Sequence, residues 1–129
     1  MTGRSAAVVS WAYAAGFGIP AVPVAIHLRR TGSLPTFFDL FPMYGGPWFE
    51  RLSREQFTTL LVAFLLVEAA VAGSALPLWR GRRSGAVANL ALLPVEAVFW
   101  LGFALPIPWV VGAARVALIA AGWRSLARR

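Results

Sequence analysis

The chain has 129 residues, of which 59% are hydrophobic and 13% are charged. Soluble domains are nearer to about 45–50% apolar and about 25% charged, so this composition argues against a soluble protein and excludes a disordered one. The sequence has no cysteine and one histidine, which excludes disulfides, thiolate sites and multi-histidine metal sites. We expect no metal and no cofactor. The net charge of +7 comes from arginines that flank apolar stretches, which indicates a lipid bilayer and not nucleic acid as the partner.

Four stretches carry few or no charges and are long enough to cross a bilayer. We predict spans at residues 5–28, 56–79, 84–105 and 107–123. The first would be roughly 36 Å long as a helix, and the fourth is close to the lower limit of ~17 residues. Because helices satisfy their own backbone groups in lipid, the predicted fold class is all-α, an integral membrane four-helix bundle in a single domain, 1–129. The length of the first span predicts that it is retained and not cleaved as a signal peptide.

The arginines predict the orientation of the chain. Seven lie on the side that holds residues 80–83 and the C-terminal tail, and four lie on the side that holds residues 29–55. By the positive-inside rule, both termini are then cytoplasmic and the loop 29–55 is extracytoplasmic, in a bacterial plasma membrane. This loop is rich in aromatic residues, proline and glycine. We expect it to lie in the interface or over the bundle, as a lid or binding element or as a plug that only seals the bundle.

Three ionisable residues near the middle of apolar spans give the strongest functional signal: Glu68, Glu96 and Arg115. A charge at the bilayer centre costs at least ~2.5–3.5 kcal/mol. We therefore expect the three side chains to form a salt-bridged cluster in a pocket at the midplane. Asn89 lies two helical turns before Glu96 and on the same face. Glu68 and Glu96 are the catalytic candidates, with Arg115 as their charge partner.

Other residues are placed near this pocket by their position in the spans. Tyr13 is a candidate hydrogen-bond partner, and Trp100 either packs or forms an aromatic wall for a flat ligand. Asp39 in the long loop either caps a short helix or reaches into the pocket. Glycine and proline at 16–20 predict a kink or opening of the first helix. One stripe of the fourth span is predicted to face the bundle: Gly112, Arg115, Ile119 and Gly122.

The overall plan of four apolar spans resembles several families of small four-helix membrane proteins, including the DoxX-like and the EXPERA (sterol-isomerase-like) groups. The order of Asp39, Pro47-Trp48-Phe49 and Glu68 is similar to that in EXPERA (sterol-isomerase-like) proteins, without their histidine motif. Leu93-Pro94-Val95-Glu96 resembles the Pro-x-Glu of membrane carotenoid cyclases, with Ala97 where those proteins have a second acidic residue. No family is assigned from these fragments. These resemblances agree only in implying a protein that presents a carboxylate to a lipophilic substrate.

Three functions fit these patterns. The first is a pocket that binds a lipophilic, lipid- or isoprenoid-like small molecule. If this pocket is catalytic, it isomerises or cyclises its ligand, because one glutamic acid donates a proton to an alkene and the second carboxylate stabilises the resulting cation. The second function is a non-enzymatic accessory subunit of a larger membrane complex, with the charged cluster fixing the packing of the helices. The third is a small proton-coupled transporter. A membrane protein partner or a homo-oligomer is compatible with each of them.

Overall fold

The part of the chain that the structure describes is almost entirely helical. The structure, a computed structural model, describes residues 2–37, 41–42, 44–46, 51–103 and 105–127. The helices are α1 (Thr2–Thr31), α2 (Arg54–Trp79), α3 (Arg83–Gly102) and α4 (Ile107–Gly122), and a 3-10 turn, Trp123–Ser125, follows α4. Between α1 and α2, the two-residue strands β1 (Thr36–Phe37) and β2 (Phe41–Pro42) pair antiparallel.

The four helices coincide with the four predicted stretches, with their ends shifted by a few residues. The predicted all-α class with four helices is confirmed for the described residues. α1, α2 and α3 are each long and apolar enough to cross a membrane, whereas α4 has only 16 residues. The start of α2 is fixed by a capping box, because the Ser53 side chain accepts a hydrogen bond from the Gln56 amide and the Gln56 side chain accepts one from the Ser53 amide.

The prolines of α1 do not interrupt it. Pro20 and Pro23 both lie inside the continuous helix Thr2–Thr31, so the predicted opening at 16–20 is not observed. Proline has no amide hydrogen, and Pro20 therefore leaves the carbonyl of Gly16 without its helical partner. We attribute the continuity to packing, since α1 contacts α2 on one side and α4 on the other.

The bundle has three layers along its length, between the end that carries the long loop and the opposite end. The layer next to the loop is a cluster of large side chains, with Phe57, Phe64, Phe99 and Phe103 at its centre. The opposite end is packed mostly by alanine, which lets the helices approach closely. The layer between them contains the buried polar residues: Ser10, Glu68, Ser74, Asn89, Glu96 and Arg115.

Apolar side chains cover the outside of this bundle. Ile19, Leu66 and Val110 are each about two-thirds exposed or more, at 69%, 68% and 71% of their surface. Large apolar side chains on the outside and charged groups at the centre reverse the distribution expected of a soluble protein. This arrangement places the candidate site in the interior, halfway along the helices.

Candidate functional site

The centre of the bundle holds a fully buried ion pair between α4 and α3. Arg115 donates from Nη1 to Oε2 of Glu96 at 2.7 Å and from Nη2 to Oε1 at 3.1 Å. Neither side chain has any exposed surface. Two parallel bonds of this kind fix the geometry of a guanidinium and a carboxylate more firmly than a single bond does. The predicted stripe of α4 is buried, and it is this stripe that aims Arg115 at α3.

Asn89 connects the ion pair to the other two helices. Its side-chain oxygen accepts hydrogen bonds from Nε and Nη2 of Arg115 at 3.0 and 2.7 Å. Its side-chain nitrogen donates to Ser10 on α1 at 3.1 Å and to Ser74 on α2 at 2.9 Å. The predicted common face of Asn89 and Glu96 is thus observed. The two serines were not predicted, because a serine in an apolar span carries no signal of its own.

Glu68 is not part of the ion pair, so the predicted salt-bridged cluster of two glutamates and one arginine is observed only for Glu96 and Arg115. The Oε1 atom of Glu68 accepts a hydrogen bond from the hydroxyl of Tyr13 at 2.9 Å. Its Oε2 is buried and has no hydrogen-bond partner among the described residues. The physical reason is that the hydrogen bonds of Arg115 go to Glu96 and Asn89, while the ring of Tyr13 covers the guanidinium at 5.5 Å.

Tyr13 and Trp100 hold the Glu68 carboxyl in place from the inside of the bundle. The indole nitrogen of Trp100 donates to the Tyr13 hydroxyl at 2.6 Å, and that hydroxyl donates to Glu68. The two rings also meet edge to face at 6.1 Å. Of the two predicted neighbours of the site, Tyr13 therefore contacts Glu68 directly, and Trp100 contacts Tyr13. The hydroxyl of Tyr13 has one donor and one acceptor partner, so its orientation is fixed.

A groove between α1 and α2 runs along the outer side of Glu68. Its volume is about 460 Å³, and almost all of its surface is apolar. The residues that line it are Trp11, Ala14, Ala15, Gly18, Ile19, Val22, Leu65, Glu68, Ala69 and Ala72. Several of these are exposed, so the groove is open to the outside of the bundle. A Cβ atom at Gly18 would lie 3.3 Å from Cβ of Glu68, which explains how the backbone of α1 comes so close to this side chain.

The long loop sends Tyr44 into the bundle above this groove. Tyr44 is 5% exposed, its ring packs edge to face on Phe64 and Phe103, and its hydroxyl donates to the carbonyl of Phe17 on α1. Its backbone is left-handed, with φ of 57°, which is uncommon for a residue other than glycine. Part of the loop therefore folds over the bundle as predicted. Asp39 lies outside the described residues.

Tyr44 was not selected from the sequence, although the aromatic density of its loop was. Burial raises the pKa of the Tyr44 phenol above its ordinary value. We expect Tyr44→Phe to lower the free energy of unfolding by about 1 kcal/mol at neutral pH, because a buried carbonyl loses a donor. A thermal unfolding series in detergent measures this change.

The raised pKa also gives this variant a distinct pH dependence. The folded chain holds the Tyr44 proton more tightly than the unfolded chain does, so its contribution to stability is complete below pH ~10 and is lost as the pH rises further. The difference in stability between the wild type and Tyr44→Phe should therefore shrink above pH ~10. A difference that grows over this range would contradict the assignment.

Within the described residues, no group of three or more histidine, cysteine or acidic residues is placed to hold a metal ion. No protein-family model, curated protein or solved structure matches this chain. The function must therefore be inferred from the geometry around Glu68.

Proposed function

We propose that this chain is an integral membrane protein that binds a lipophilic small molecule in the groove between α1 and α2. One observation carries the proposal. Glu68 is a buried carboxyl at the wall of an open apolar groove, and one of its two oxygens lacks a hydrogen-bond partner among the described residues. A buried polar atom without a partner costs about 1–3 kcal/mol. A ligand that supplies the missing partner would recover that free energy.

Membrane insertion is supported by the distribution of side chains. Three helices are long and apolar enough to span a bilayer, and the outer surface of the bundle presents residues such as Leu66, Leu101 and Val110. Lipid tails would cover these apolar side chains, while the buried network satisfies the polar side chains of Arg115, Glu96 and Asn89. α4 is short, but the 3-10 turn Trp123–Ser125 lengthens it. The predicted orientation, with both ends of the chain in the cytoplasm of a bacterial cell, is part of the proposal.

The contacts divide the two glutamates into different roles. Glu96 has both oxygens bonded to Arg115, so it is committed to holding α3 against α4. Glu68 forms no salt bridge among the described residues, and its hydrogen bond comes from Tyr13. A buried carboxyl without a salt bridge is most stable as the neutral acid. We therefore propose Glu68 as the residue that contacts the ligand, and Glu96 as a support for the site.

The groove also defines the chemistry of the ligand. Its apolar walls select a lipophilic molecule, and Glu68 offers one hydrogen-bonding group to a polar atom of that molecule. If the site is catalytic, the same arrangement would suit movement of a double bond. Glu68 would donate its proton to one alkene carbon, and its carboxylate would then take a proton from a neighbouring carbon.

Native mass spectrometry on gently extracted protein tests this proposal. We expect the wild type to retain a small lipophilic molecule and Glu68→Gln to retain roughly two- to tenfold less, because a hydrogen bond to an uncharged group contributes ~0.5–1.5 kcal/mol. Ala15→Leu should also lose the ligand, because it fills the groove. Ala12→Leu is the matched control, since Ala12 is an exposed residue of α1 that does not line the groove.

The outcomes separate the proposed function from its alternatives. Equal ligand occupancy in the wild type, Glu68→Gln and Ala15→Leu would overturn the groove as the binding site. A protein partner that co-purifies without a small molecule would favour the accessory subunit. Proton-driven uptake into liposomes that is lost in Glu68→Gln would favour the transporter.

A further inference from the structure

The end of the bundle opposite the long loop carries a concentration of arginines, which we call the arginine end. Its described members are Arg4, Arg80, Arg82, Arg83 and Arg124. Backbone contacts bring their segments together. The amide of Arg83 donates to the carbonyl of Ala127, and the amide of Ala127 donates to the carbonyl of Gly81. The start of α1 meets the end of α4, where a Cβ atom at Gly122 would overlap the side chain of Thr2.

Among the described residues, no acidic side chain forms an ion pair with these arginines. The five acidic residues of the chain are Asp39, Glu50, Glu55, Glu68 and Glu96. Three of them belong to the long loop or the start of α2, and the other two are buried at the centre of the bundle. In the described part of the chain, the arginine end is therefore a cationic surface that carries no internal counterion.

Two of these arginines are held against tryptophan rings. The guanidinium of Arg4 lies 5.2 Å from the ring of Trp79, and that of Arg83 lies 5.3 Å from the ring of Trp123. Cation–π contacts of this kind orient a guanidinium and leave its edge available for oxygen acceptors. The Arg83 side chain donates a long hydrogen bond of 3.5 Å to the Trp123 carbonyl, and its Nε has no partner among the described residues.

A second groove gives this surface an amphipathic shape. It has a volume of about 420 Å³ and is lined by Arg4, Ser5, Val8 and Val9. Arg4 and Ser5 lie at the N-terminal end of α1, and the two valines follow one turn further into the bundle. The groove thus has a cationic head and an apolar continuation along the helix axis. Val8 is half exposed, at 51% of its surface.

We propose that the arginine end binds anionic phospholipids, with one lipid seated on α1. The phosphate of that lipid contacts the guanidinium of Arg4, and an acyl chain lies over Val8 and Val9. The remaining arginines bind further phosphate groups of the same leaflet, since each basic residue near an anionic membrane surface adds to the attraction. This inference rests on the membrane insertion proposed above, but it does not depend on the ligand of Glu68.

Titration with phosphatidylglycerol and phosphatidylcholine, followed by native mass spectrometry of the full chain, tests this inference. We expect the anionic lipid to bind more tightly, and Arg4→Gln to weaken its binding about fivefold. The double variant Arg4→Gln/Arg83→Gln should weaken binding about 25-fold. Arg30→Gln is the matched control, because it removes the same charge from an exposed residue at the other end of α1.

Equal binding of the two lipids, or an equal effect of Arg4→Gln and Arg30→Gln, would overturn the lipid site. Tighter binding of an acidic protein than of the anionic lipid at the arginine end would also overturn it. Carbonate extraction of cell membranes distinguishes this failure from failure of the proposed function. If the protein resists extraction but shows no lipid preference, only the lipid site is overturned, and the groove of Glu68 remains as a proposal. If the protein is extracted, both the lipid site and the proposed function are overturned.

Discussion

Arg115→Met is expected to lower the free energy of unfolding by about 3–5 kcal/mol, because it leaves a buried carboxylate without its cation. The side chains of Arg115 and Glu96 are both fully buried, and their two hydrogen bonds are 2.7 and 3.1 Å long. The variant also removes two donors from the side-chain oxygen of Asn89, which belongs to the same network. Unfolding in mixed micelles with increasing denaturant measures the effect.

The double variant Arg115→Met/Glu96→Gln is the control for the buried charge. It removes both members of the ion pair, so it should recover part of the stability that the single variant loses. Arg115→Lys keeps the positive charge but loses the bidentate geometry. Its free energy of unfolding should therefore lie between those of the wild type and Arg115→Met. If the free energy of unfolding of Arg115→Met is within about 1 kcal/mol of the wild-type value, the ion pair does not hold the bundle together.

The second large effect is expected at Gly85, where α3 lies against α2. A Cβ atom at Gly85 would overlap the amide nitrogen of Leu78 and would lie 2.8 Å from the carbonyl oxygen of Ser74. These are backbone atoms, so Gly85→Ala forces the two helices apart. Overpacking of this kind costs about 1–3 kcal/mol and sometimes more, which exceeds the gain of up to about 1 kcal/mol from replacing glycine in a helix. We expect a net loss of about 1–2 kcal/mol in the same unfolding assay.

Gly73→Ala is the matched control on α2. Nothing outside its own helix lies within 4 Å of the Cβ atom that this change adds. The variant should therefore gain about 0.5–1 kcal/mol from helix propensity alone. If Gly85→Ala and Gly73→Ala have the same effect, then the close approach of α2 and α3 does not limit the stability of the bundle.

The positions of the helices, and the height of the charged residues along them, could be predicted from the pattern of apolar stretches. Apolar stretches of this length favour helices wherever the backbone must satisfy itself, and the ends are marked by arginines, glycines and prolines. Glu68, Glu96 and Arg115 were predicted at the centres of their spans because their positions in the chain fix their height in the bundle. The common face of Asn89 and Glu96 followed from their spacing along one helix.

Which of these side chains contact each other depends on how the helices pack. The height of a residue along a helix does not fix the rotation of that helix about its own axis. Small differences in this rotation determine which carboxyl reaches Arg115. Glu96 and Asn89 accept the hydrogen bonds of the guanidinium, whereas Glu68 accepts its hydrogen bond from the hydroxyl of Tyr13. The insertion of Tyr44 depends on contacts between residues far apart in the chain. Only the packed bundle therefore distinguishes the carboxyl that bonds to Arg115 from the carboxyl that we propose as the ligand contact.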